Sequence, residues 1–204
     1  MRMRRAGREL SLSWPTLLPK PEVEGAVATY PSVLPGVDLR MTAQADGFAQ
    51  LLVVKSAEAA ANPELSELRL ELDTRGLSVQ ETSEGGLQAL DEGAKGAVFE
   101  APKPMMWDSS PGDSPAAAQS RTTAAGETAG HGASATGAEE PGKEPAAGES
   151  GKLAPVEVEV PDGQGELVLT PDADVLRGED TAYPVFIDPQ WHSPKATAWT
   201  MVSK

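Results

Sequence analysis

The feature that most constrains the fold is the stretch over residues 30–55, YPSVLPGVDLRMTAQADGFAQLLVVK. From Gly36 onward, Val37, Leu39 and Met41 alternate with Asp38, Arg40 and Thr42. Side chains of an extended chain point to opposite faces in turn, so a period of two marks a strand with one wet face. Asp46-Gly47 is a favoured hairpin pair, because both residues tolerate positive φ. The return segment is apolar on both faces, with Phe48, Leu52 and Val54 beside Gln50 on one and Ala49, Leu51 and Val53 on the other. A strand of that kind is covered on both sides, which places it centrally in its sheet. Pro31 and Pro35 lack backbone donors and are expected ahead of the strand.

The same alternation recurs along the chain. Leu10, Leu12 and Trp14 predict a first strand over residues 9–14, and residues 26–30 a second. Leu68, Leu70 and Leu72 alternate with Arg69, Glu71 and Asp73, the clearest half-buried strand. Arg75-Gly76 is read as a turn into residues 77–81, and Gly85-Gly86 as a turn into residues 87–90. Residues 97–100 and 105–108 close this block, separated by Pro102 and Pro104. Beyond residue 152, Val156, Val158 and Val160 alternate with glutamates. Pro161-Asp162-Gly163 then turns into residues 166–170, residues 171–176 suit a helical turn, and YPVFID over residues 183–188 is a last strand. The Ala-rich SAEAAAN before Pro63 predicts a short helical crossover between sheets. Short strands with turn signals at regular spacing imply an all-β chain, an antiparallel β-sandwich.

Residues 109–151 break the pattern. They hold no Val, Ile, Leu, Met, Phe, Tyr or Trp. Such a tract buries too little apolar surface to offset the entropy of ordering it, and a long disordered insertion is expected. The organisation is therefore residues 1–108 as the first part of the sandwich, 109–151 as linker, and 152–189 as strands completing it. Two separate small domains are the alternative. Residues 190–204 read as a connector into a strand, residues 197–202, that would open a following domain.

Composition narrows the function. With 204 residues, 18 Pro, 20 Gly and only 4% aromatics, the chain suits short strands and many turns. It has no cysteine, hence no disulfide framework or thiolate metal site. A net charge of −14 argues against nucleic acid or anionic lipid as partner. No stretch reaches the roughly 18 apolar residues of a membrane span. The start, MRMRRAGREL, is basic like a signal-peptide n-region, yet the following SLSWPTLLPK is too polar for an h-region.

Candidate chemistry is sparse. His131 sits in the linker, and His192 has no second His or Cys near it, so no metal site is expected. Asp108 and Asp188 end strands and could pair for acid–base work on a sugar, although Asp also caps turns. Facing each other about 5–10 Å apart, they would raise the hydrolase reading. The cluster Met105-Met106-Trp107 reads as core before it reads as a recognition patch. Gly85-Gly86 precedes a strand and is no phosphate cradle. No cofactor is implied.

The phrases ATYPSVLPGVDLRMT, GFAQLLVVKSAEAAANP, APKPMMWDSS, LVLTP and TAYPVFIDPQW resemble a module of large secreted proteins of high-GC actinobacteria. There it lies ahead of LamG-like jelly-roll or DNRLRE domains, and sometimes RHS-type repeats. The resemblance runs from about Glu9 to Lys204 and carries no catalytic residues. It implies an extracellular or cell-wall-associated β module whose partners are neighbouring domains. The chain departs from that pattern in lacking an export signal and in stopping where Trp199 begins a further domain, which suggests a fragment. Three readings follow. The first is a non-catalytic structural module and not an enzyme. The second is a carbohydrate-binding module, its polysaccharide platform being Trp107, Trp191 or Trp199. The third is an accessory part of a glycosidase or peptidase.

Overall fold

The computed structural model describes residues 1–45, 47–93, 96–111, 151–161 and 165–193. Over these residues the chain builds two antiparallel sheets around one apolar core, the sandwich that the alternating side chains predict.

The smaller sheet has five strands: β1 (Arg2–Arg5), β2 (Arg8–Ser13), β7 (Leu68–Arg75), β13 (Glu157–Glu159) and β14 (Glu166–Thr170). Their order is β1-β2-β7-β14-β13. The basic start of the chain is a hairpin turned by Ala6 and Gly7, at φ 49° and 75°. Its first strand lies ahead of the one that the sequence shows. Leu10, Leu12, Leu68, Leu70, Leu72, Leu167 and Leu169 all point inward and are buried. Arg69, Glu71 and Asp73 stay in water.

The larger sheet grows from β6 (Gly47–Val54), the apolar return strand. β5 (Val37–Ala43) pairs with its whole length along one edge. β4 (Val27–Leu34) and β3 (Glu22–Glu24) continue outward from β5. Along the other edge of β6 lie β15 (Val185–Asp188) and β16 (Gln190–His192), end to end. Pro189 separates them, and the Gln50 amide donates to its carbonyl at 3.2 Å. The sheet forks at this break. β15 leads to β11 (Met105–Trp107) and β12 (Leu153–Pro155). β16 leads to β10 (Ala97–Ala101), β9 (Leu87–Asp91) and β8 (Leu77–Glu81).

Several local expectations are corrected. Pro31 lies inside β4, where the register slips between Tyr30 and Leu34 and Ser32 takes φ 52°. A bulge leaves a residue unpaired, so the missing N–H costs no ladder bond. Arg75-Gly76 carries the chain from the small sheet to the large one and does not close a hairpin. Residues 153–159 are likewise two strands on different sheets, divided at fully buried Val156. Residues 190–192 are sheet, not connector. Asp46, the Asp162-Gly163 turn and residues 197–202 lie outside the described residues, as do 112–150 of the expected linker. Gly47 itself opens β6, and the Gln44 amide donates to its carbonyl at 3.0 Å.

The helical crossover is α1 (Ala57–Ala60), capped by the Ser56 hydroxyl, which accepts from the Ala59 amide. A 3-10 turn over Pro63–Ser66 follows and delivers the chain from β6 to β7. A second short helix, α2 (Ala173–Arg177), is capped by Asp172 and touches α1. Strands beyond residue 151 enter both sheets: β14 pairs with β7, while β15 and β16 pair with β6.

Candidate functional site

β11 and β15 place the two aspartates that the sequence singles out. Met105 opposes Asp188 and Trp107 opposes Phe186, so Asp108 and Asp188 stand at opposite ends of this strand pair. At about 3.3 Å per residue the separation along the strand is roughly 10 Å. Each carboxylate has its own partners.

Asp108 is fully buried, with 0% exposure. Its Oδ1 accepts from the Ser110 amide at 3.1 Å, the Ser110 hydroxyl at 2.6 Å and the Lys152 amide at 2.7 Å. Its Oδ2 accepts from the Ala182 amide at 3.1 Å. The Asp108 amide donates to Lys152 O at 3.2 Å, and the Ser109 amide to Ala182 O at 2.8 Å. Three distant segments are thus tied at one carboxylate. Burial pushes the Asp108 carboxyl up, yet the hydrogen bonds from Ser110, Ala182 and Lys152 together outweigh it and hold the group below the ordinary aspartate value. Oδ1 is thereby saturated, while Oδ2 accepts a single bond.

Asp188 shifts the other way. Burial raises its pKa, and the hydrogen bond from Gln190 Nε2 at 2.6 Å only partly opposes that. The two carboxylates are held by separate partners, and no hydrogen bond joins them.

Two of the three tryptophans of the expected platform are buried. Trp107 is 7% exposed and stacks on Phe186, with centroids 5.6 Å apart and planes at 24°. Trp191 is 1% exposed and belongs to the core cluster. Strand alternation turns both rings into packed protein, so neither offers a flat face to a sugar. Trp199 lies outside the described residues, as does His131.

The remaining candidate, His192, lies on the rim of an open groove. Cross-strand register aligns Gln80, Gln88, Glu100 and His192 in one row over β8, β9, β10 and β16. His192 Nε2 is 3.9 Å from Glu100 Oε2, an ion-pair distance too long for a hydrogen bond. The groove, about 320 Å³, is lined also by Thr82, Glu84 and Lys103. Gly85-Gly86 shapes it, because a Cβ on Gly86 would come within 2.5 Å of Ala101 O. The arrangement offers amide, ammonium and imidazole donors beside two carboxylate acceptors, which suits a hydroxylated ligand. Sequence reasoning missed Gln88, Glu100 and Lys103. Their convergence follows only from β16 lying between β6 and β10, and three residues of β16 carry no alternation signal. Among the described residues, no group of three His, Cys, Asp or Glu could hold a metal ion. Among them too, no helix is long and apolar enough to cross a membrane. No family model, no curated protein and no solved structure matches the chain.

Proposed function

We propose that this chain is a non-catalytic β module that supports and spaces neighbouring domains of a larger protein. The sequence resemblance makes that protein secreted or cell-wall-associated. The observation that carries the reading is the fate of Asp108. The carboxylate best placed at a strand end is committed to four hydrogen bonds that join segments of the scaffold. Trp107 and Trp191, two of the three tryptophans that could have met a ligand, are buried. The test is to incubate the full chain with purified cell-wall polysaccharide and follow reducing ends and soluble fragments. None is expected, and Asp108→Asn should change the melting temperature alone. Fragment release that Asp108→Asn or Asp188→Asn abolishes would overturn the reading.

A second reading, polysaccharide binding, is favoured by the polar groove. It predicts retention of the chain on an insoluble glycan, lost with Lys103→Ala and with His192→Ala. Retention unchanged by both variants counts against it.

A further inference from the structure

Among the described residues the five-stranded sheet ends in β1 on one side and in β13 on the other, with no further strand paired to either. The two edges are oppositely charged. β1 is Arg-Met-Arg-Arg, with Arg2 and Arg4 exposed and Met3 turned into the core. β13 is Glu-Val-Glu, with Glu157 and Glu159 exposed and Val158 packed against the core. Among the described residues Arg2 and Arg4 share one acidic partner, Glu9, at 2.9 and 2.7 Å, so two guanidinium groups face one carboxylate.

Register makes this more than a pair of charged rims. Every neighbouring pair in the sheet is antiparallel, so across five strands β1 and β13 run in the same direction. A two-fold pairing of copies would set β1 against β1 or β13 against β13. It would face Arg with Arg, or Glu with Glu, across the new ladder, and like charges directly opposite are destabilising. A copy added without rotation sets β13 of one molecule beside β1 of the next. Strands then run parallel, Glu157 and Glu159 lie on the same face as Arg2 and Arg4, and Val158 and Met3 stay on the core side. The backbone groups on these edges are what an added strand pairs with.

We propose that this sheet is a self-docking surface, and that its occupant is a second copy of the chain joined head to tail through β13 and β1. Charge on each edge blocks the closed dimer and admits the open, heterologous contact. The strands are short and the whole chain carries −14, so the contact is weak and shows at high protein concentration.

The experiment is sedimentation of the full chain at increasing concentration. Wild type should pass from monomer to a series of species that does not stop at two. Glu157→Arg/Glu159→Arg should remain monomeric, as should Arg2→Glu/Arg4→Glu. Mixing these two variants restores complementary edges and should restore association. Circular dichroism confirms that each variant folds. If the Arg2/Arg4 variant fails to fold, the Glu157/Glu159 variant still decides the matter against wild type. A wild-type chain that stays monomeric throughout, a dimer that grows no further, or association indifferent to the Glu157/Glu159 reversal would overturn the proposal.

Discussion

Asp108 and Asp188 are the same residue type at two ends of one strand pair, and their environments push them in opposite directions. Removing the Asp108 side chain leaves the Lys152, Ser110 and Ala182 amides without their acceptor. Asp108→Ala should cost about 3 kcal/mol or more, read from denaturant midpoints. The pH dependence follows from the depressed folded value. Asp108 contributes stability above its unfolded value of about 3.9, and that contribution is lost as pH falls through the lower folded value. Asp108→Asn should therefore flatten the acid limb of the stability profile. Asp188 carries the reverse sign. Its folded value is raised, so stability falls as pH climbs from the unfolded value through the folded one. Asp188→Asn, which can keep a bond to Gln190, should be neutral or stabilising at pH 7. A clear loss of stability there would contradict the burial argument. None of this is legible in the string: three of the donors to Asp108 are backbone amides, and those of Lys152 and Ala182 lie 44 and 74 residues away.

At the scale of elements, what the sequence reveals is alternation that stays on one sheet. Leu68, Leu70 and Leu72 sit in β7 with a buried–exposed pattern, and Val37 and Leu39 face the core from β5. Where a strand changes sheet, the period of two runs through the change unmarked, as at Val156. The polar groove is illegible for the same reason, since Glu100 and His192 meet only through non-local pairing. Glycines record such pairing. A Cβ on Gly47 would fall 2.0 Å from the Trp191 carbonyl oxygen, so β16 can lie against β6 only if that position is bare. Gly47→Ala should destabilise by about 1–3 kcal/mol through displacement of β16, visible as altered Trp191 fluorescence. Gly151 plays the same part at φ 150°, where a Cβ would come within 2.1 Å of Asp108 O.

For the whole molecule, the strands on either side of residues 112–150 belong to the same two sheets. β11 pairs with both β12 and β15, and β7 pairs with β14. Cleavage anywhere in residues 112–150 should leave two fragments that elute together and separate only in denaturant. Fragments that part under native conditions would mean two domains. A short Gly/Ser bridge in place of residues 112–150 should keep the fold, because Asp108 and Lys152 already hold its anchor points together. Loop-closure entropy then favours the shortened chain by about 2 kcal/mol.

The fork at Pro189 sets how the molecule breathes. β6 is the trunk, laddered along one side by β5 and along the other by β15 and β16. Both branches hang from it, and among the described residues each ends in a strand with a single neighbour, β12 or β8. Amide deuterium uptake should therefore advance inward from the tips of the two branches, with the amides of Leu52 and Val53 the last to exchange.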